Sequence, residues 1–151
     1  MTFVPEDFEP PRRLLLPEML LEPLTAAHNE RDHAAWSSSM EHIRSTPGFE
    51  SWSWPHEMTL DQNLADLDGH ARDFEQRRGF TYTVLDPATG AVIGCVYIYP
   101  GEGDPPAANV RSWVTAAHAE LDEPLHRAVS EWLRDAWPFQ QVEYAERRPQ
   151  T

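Results

Sequence analysis

Residues 80–103 read FTYTVLDPATGAVIGCVYIYPGEG, and the fold turns on how they are read. Phe80, Tyr82 and Val84 alternate with Thr81, Thr83 and Leu85, the period of two that sends successive side chains to opposite faces of a strand. Asp86-Pro87-Ala88-Thr89-Gly90 then supplies turn-forming residues, so the stretch predicts a β-hairpin. The second strand, Val92 to Tyr99, is apolar on both sides, as expected of a central strand covered on both faces. Gly94 marks a bulge or a close approach by other atoms, and GEGDPPAAN reads as a loop.

Outward from the hairpin, the pattern alternates between helix and strand. Residues 1–17 carry four prolines and form an extended arm, with Phe3, Val4 and Phe8 available to tack it to a core. MLLEPLTAAH gives a short strand through Pro23, whose lost N–H suits an edge or irregular strand, and Thr25 is placed to cap the next segment. Trp36, Met40 and Ile43 recur at helical spacing within a helix over 26–45 that Pro47-Gly48 ends. After the loop FESWSWPHEM, a stripe of Leu60, Leu64, Leu67, Ala71 and Phe74 predicts a helix over 60–78, behind a Thr59–Gln62 capping box and ahead of Gly79. VRSWV is a strand, the stripe of Leu125, Val129, Trp132, Leu133 and Ala136 gives a helix over 123–136, and QVEYAE closes as a short strand. The predicted architecture is α/β (α+β), a mixed and mostly antiparallel sheet with helices on both faces. Residues 91–99 and 110–115 should be neighbouring strands, with helices 26–45 and 60–78 on one face and helix 123–136 on the other. A single domain over 18–146 follows, between the arm and a tail at 147–151.

Composition removes several chemistries. All twelve basic residues are arginine, which excludes a Schiff-base or pyridoxal-phosphate lysine and a phosphate-loop lysine. The net charge of −13 opposes binding to nucleic acid, and no apolar run approaches the roughly 18 residues of a membrane span. An N-terminus rich in acids and prolines lacks the pattern of a secretory signal, which predicts a cytoplasmic protein. The lone Cys95 reads as a buried strand residue. His28 and His33 in HNERDH are spaced wrongly for one helical face and lack a third ligand, so no metal site is expected. Neither a Gly-x-Ser-x-Gly elbow nor a dinucleotide-binding glycine motif occurs. Trp52 and Trp54, flanked by Glu50 and Glu57, read either as an aromatic wall for a cationic group or as caps on the helix pair.

The order of elements, with LLEPLTAAHNERDHAAW as first strand and helix, LDQNLADL as second helix and the hairpin FTYTVLDPATGAVIGCVYIYP, resembles the GNAT superfamily of N-acetyltransferases over residues 20–145. The resemblance implies transfer of acetyl from acetyl-CoA, as co-substrate, to a primary amine, in a cleft where the fourth and fifth strands splay apart. Val92 to Tyr99 would be one wall of that cleft, and Cys95, Val96, Tyr97 and Thr115 would hold the cofactor. Trp52 and Trp54 would border the acceptor, a small-molecule amine. Tyr97, Tyr99 and Tyr144 are the available acids, with Glu102 and His118 the available bases. Two departures stand beside the match. Where the family carries a glycine-rich pyrophosphate loop, this chain reads VTAAHAELDEPL, which sets Glu120, Asp122 and Glu123 beside the expected anion and removes one amide donor at Pro124. The match also stops short of the last helix and strand of many GNAT domains, from which a catalytic tyrosine often comes. These departures imply weak acetyl-CoA binding and leave a second reading, a GNAT-fold binding or interaction module without acetyl-CoA. A third is a homodimer through an open sheet edge.

Overall fold

The computed structural model describes residues 2–147. One six-stranded sheet runs in sequence order: β1 (Leu14–Leu15), β2 (Leu20–Pro23), β3 (Phe80–Leu85), β4 (Val92–Pro100), β5 (Ala108–Val114) and β6 (Val142–Tyr144). The first five strands form antiparallel pairs and β6 lies parallel to β5. The helices are α1 (Asn29–Ser37), α2 (Met40–Arg44), α3 (Leu60–Glu75) and α4 (Asp122–Ala136), with 3-10 turns at Ala26–His28 and Ala116–Leu121.

The hairpin forms as its sequence predicts. Gly90, at φ +77, donates its N–H to Asp86 O at 2.8 Å, and Asp86 Oδ1 accepts from the Ala88 N–H at 2.8 Å. Val84 pairs with Gly94 and Leu85 with Val92, so Ile93 is the extra residue of a bulge. A Cβ on Gly94 would lie 2.5 Å from Trp113 O, which is why this central position carries no side chain.

The sheet divides the interior into two cores. Phe80, Tyr82, Val84, Val96 and Ile98 pack with Leu125, Val129 and Leu133 of α4, whereas Cys95, Tyr97 and Trp113 pack with Trp36 of α1, Ile43 of α2 and Leu67 of α3. Helices therefore cover both faces in the predicted arrangement, and 91–99 does neighbour 110–115. Burying two such cores contributes roughly 25 cal/mol per Å² of apolar surface.

Several local expectations are corrected. The arm supplies β1, which pairs with β2, so β2 is interior; Pro23 is tolerated because it is the last residue of the strand. Along the rest of the arm, Val4 is buried, and the rings of Phe3 and Phe139 stack 4.9 Å apart. The helix over 26–45 is broken at Ser38–Ser39, where Ser37 and Ser38 donate their hydroxyls to carbonyls of the preceding turn. Ser39 Oγ there accepts the Ala116 N–H at 3.0 Å, 77 residues away. Helix α3 stops at Glu75, and the left-handed residue after it is Arg77 at φ +62, not Gly79. Its buried stripe is also rotated: Leu60 and Leu64 are exposed, and Asn63, Leu67 and Phe74 face inward. Arg147, assigned to the tail, belongs to the fold with a side chain 3% exposed; the remainder of that tail lies outside the described residues.

Candidate functional site

The inward face of β4 and β5, between α3 and the loop at 45–59, holds a cavity of about 430 Å³. Its floor follows from strand alternation: Tyr97 and Tyr99 on β4 sit opposite Arg111 and Asn109 on β5, all on one face. Helix α3 contributes Asp66 and His70, held in register by Leu67 and Phe74 beneath and by the Thr59–Gln62 capping box at its start. The loop contributes Trp52 and Trp54.

His70 is the most chemically defined group there. Its Nδ1 lies 2.9 Å from Tyr99 Oη and 2.9 Å from Thr81 Oγ1, and Nε2 is 3.7 Å from Asp66 Oδ2. Tyr99 donates its hydroxyl proton to Asp73 Oδ2 at 2.8 Å, a charge-assisted bond that fixes the direction of the chain. Tyr99 Oη is then free to accept from His70 Nδ1, Thr81 Oγ1 can donate to or accept from the same atom, and Nε2 is turned toward Asp66. Gly79 makes room for this relay, since a Cβ there would overlap the Tyr99 ring. Burial, helped by Asp73, pushes the Tyr99 phenol well above its usual value, so it stays protonated.

Behind α3 lies a polar layer. Asp32 is 4% exposed and accepts from Asn63 Nδ2 at 3.1 Å, while Asn63 Oδ1 accepts from Trp36 Nε1 at 3.1 Å. Burial raises the Asp32 carboxyl to about 6, opposed by the Asn63 bond and by His70.

The sequence candidates separate. Trp52, Trp54, Tyr97 and Tyr99 converge on this cavity. Tyr97 accepts from Trp113 Nε1 at 3.0 Å and burial holds its phenol far up, which makes it a packing residue more than an acid. The Trp52 face is covered by Arg111, whose guanidinium carbon is 4.2 Å from the ring centroid, so a cationic ligand would find that wall taken by the protein's own cation. Trp54 packs on Trp36 and Trp113 at 5.5 and 6.1 Å, and so serves as cap and wall together. His118 bonds Thr115 Oγ1 at 2.8 Å away from the cavity, Glu102 is exposed in the loop before β5, and Tyr144 meets Ser112 on the other face.

The residues expected to hold the cofactor are placed as follows by the sheet. Cys95, Val96 and Tyr97 lie in a strand paired along both edges, with no backbone left for a ligand. Strands β4 and β5 do not splay; the seam lies one strand further, where β5 and β6 pair only at Ala108–Val110 with Val142–Tyr144. Arg147 fills that seam. It donates from Nη2 to Ser112 O at 2.7 Å and from Nε to Asp122 Oδ2 at 2.7 Å. The segment leading into α4 offers a pyrophosphate little: the Thr115 N–H is held by Ile93 O, Ala116 by Ser39 Oγ, His118 by Thr115 O and Asp122 by Ala119 O. As the chain stands, this segment is a poor cradle for the pyrophosphate of acetyl-CoA, with four of its N–H groups already used within the protein.

Sequence reasoning missed His70, Asp66, Arg111 and Asn109. The available signal was polar residues in buried registers: Asn63 and His70 share a helical stripe with Leu67 and Phe74, and Asn109 and Arg111 alternate with inward Trp113.

Residues 18–148 match the acetyltransferase (GNAT) domain family, and the chain belongs to it. Among solved structures it is similar to the ribosomal-protein-S5-alanine acetyltransferase of Vibrio fischeri, with a TM-score of 0.64, 14% identity, and coverage of 82% of this chain and 68% of that one. The ribosomal L7/L12 α-N-protein acetyltransferase aligns with a TM-score of 0.61 at 12% identity, over 80% of this chain and 64% of that one. The microcin C7 self-immunity acetyltransferase, solved with acetyl-CoA and AMP, aligns with a TM-score of 0.60 at 10% identity, over 80% and 63%. No curated protein matches the sequence. No helix among the described residues is long and apolar enough to cross a membrane.

Proposed function

We propose that this chain is an N-acetyltransferase whose acceptor, a primary amine, binds in the cavity between α3 and β4–β5. The observation that carries this reading is the His70 relay, in which the Tyr99–Asp73 hydrogen bond and Thr81 hold an imidazole on the wall of a cavity of ligand size. An amine is protonated at neutral pH and must lose a proton to become a nucleophile; His70 Nε2 accepts it, and the Nδ1–Tyr99–Asp73 chain orients the ring. Acetyl-CoA supplies the activated acetyl group in this family. Here the Arg147 latch and the acids at the start of α4 argue for an affinity no better than about millimolar, roughly −4 kcal/mol.

Thiol release is therefore followed at millimolar acetyl-CoA with a panel of primary amines. His70→Gln is expected to lower the rate about 100-fold or more while the fold is kept. Nitrogen NMR should find His70 protonated on Nδ1; the opposite tautomer, or an undiminished rate in H70Q, would sink the assignment. The occupied seam favours one second reading, a GNAT-fold binding module. Amine binding in the cavity with no detectable acetyl-CoA binding and no turnover would select it.

A further inference from the structure

The cavity is chemically polarised, and its polarity defines a ligand class. On the β5 side, Arg111 spends Nε on Gly48 O at 2.8 Å and Nη1 on Asn109 Oδ1 at 2.7 Å. Its Nη2 has no partner among the described residues, and no carboxylate forms an ion pair with it there. Glu50 is the acid whose charge it feels, but Glu50 Oε2 accepts from the Gly48 N–H at 3.0 Å. The Arg111 bond to Asn109 Oδ1 also fixes that amide, leaving Asn109 Nδ2 as a second unpartnered donor on the same wall. On the α3 side stand Asp66 and His70, with His70 Nε2 3.7 Å from Asp66 Oδ2. The Trp52 and Trp54 rings complete the lining, Trp52 stacked on Arg111.

Donors aligned on one wall and acceptors on the other suit a ligand with an anionic end and an amine end. His70 lies over Thr81 and Tyr99, on β3 and β4, whereas Arg111 and Asn109 are on β5. Neighbouring strands are about 4.8 Å apart, so the walls are separated by roughly 10 Å. A hydrogen bond of about 3 Å at each end leaves roughly 4 Å between amine and carboxylate. A free α-amino acid, with both groups on one carbon, falls short of this, and a dipeptide in a bent conformation spans it.

We infer that the cavity binds a free dipeptide or an amino acid of that length, with its amine at Asp66 and His70, its carboxylate at Arg111 and Asn109, and an apolar side chain against Trp52 and Trp54. The inference rests on the cavity's being the acceptor site and adds the identity of the acceptor. Arg111 makes such a carboxylate compatible with a chain of net charge −13, because this cation of the cavity wall has no anionic partner among the described residues.

The test is tryptophan fluorescence and calorimetry with alanyl-leucine, alanyl-leucinamide and N-acetyl-alanyl-leucine, without any acyl donor. In the unmodified protein the acid should bind at least tenfold more tightly than either the amide or the acetylated peptide. In Arg111→Gln the acid should fall to the level of the amide, and in Asp66→Asn the free amine should lose its advantage over the acetylated form. Should R111Q fail to fold, the comparison of acid and amide in the unmodified protein decides alone. Equal binding of acid and amide would overturn the inference and indicate a peptide that continues beyond its second residue; no binding of any probe would overturn it as well. Because the readout is binding, preference for the acid without acetylation would leave this inference standing and remove the proposed activity, while acetylation of acid and amide alike would do the reverse.

Discussion

Replacing Asp32 by asparagine should make the protein more stable at neutral pH, and the structure gives the size. The carboxyl is 4% exposed and is raised from 3.8 to about 6, chiefly by burial. Between these values the folded chain holds a proton that the unfolded chain has released. The stability tied to the neutral acid is therefore full below the lower value and is lost as pH rises through the upper one. The span is about two units at about 1.4 kcal/mol each, so about 3 kcal/mol is forfeited by pH 7. Asparagine keeps an oxygen to accept from Asn63 Nδ2 and carries no charge to desolvate. Urea unfolding of both proteins from pH 4 to pH 7 isolates the term, because His28 and His126, both lowered by burial, titrate alike in each. The advantage of D32N should grow by about 3 kcal/mol across that range, or about 6–12 °C in Tm for a chain of this size. A difference independent of pH would refute the reasoning. An advantage that shrinks on raising the pH would mean that His70 or His33 stabilises the anion more than burial opposes it.

Gly79→Ala should displace the Tyr99 ring and cost about 2 kcal/mol through the lost bond to Asp73. G79A and Tyr99→Phe should slow amine acetylation by similar factors, and the double variant no further, which a double-mutant cycle checks. Arg147→Met breaks a pair whose side chains are 3% and 20% exposed, and should lower stability by about 3 kcal/mol in urea titrations, with part of the loss recovered when Asp122→Asn is added. Trp54→Ala should weaken ligand binding in the cavity by about 1 kcal/mol beyond its effect on folding, measured by calorimetry on the folded fraction. Acetyl-CoA affinity in the low micromolar range at low salt would contradict the repulsion expected from Glu120, Asp122 and Glu123.

The strands were legible because their alternation is local: Phe80 to Leu85 and Val92 to Tyr99 declare their faces within a few residues. The capping box of α3 was readable for the same reason, its two partners being three residues apart. The break between α1 and α2 was not, since the group that stabilises it, the Ala116 N–H, lies far off in sequence. Rotation of α3 escaped as well. Hydrophobic periodicity counts Leu60 and Leu64 as core, yet the inward positions went to Asn63 and His70, whose polar atoms are satisfied by Asn29, Asp32, Thr81 and Tyr99 on other elements. A buried polar residue is intelligible only with its partner, and the partners here are brought in by the sheet. Trp52 and Trp54 were placed at the right cavity, while the charge of its wall was misjudged because Arg111 reaches Trp52 across 59 positions of sequence.

The bond from the Ala116 N–H to Ser39 Oγ fastens the segment entering α4 to the joint between α1 and α2. Helix α2 leads into the loop that carries Trp52 and Trp54, so a ligand that drew Ala116 away would free the joint on which that loop hangs. Occupancy at the start of α4 and occupancy of the cavity then become thermodynamically linked, and by reciprocity each must change the affinity of the other by the same factor. A single serine, 5% exposed, thereby ties the loop that carries Trp52 and Trp54 to the segment that follows β5.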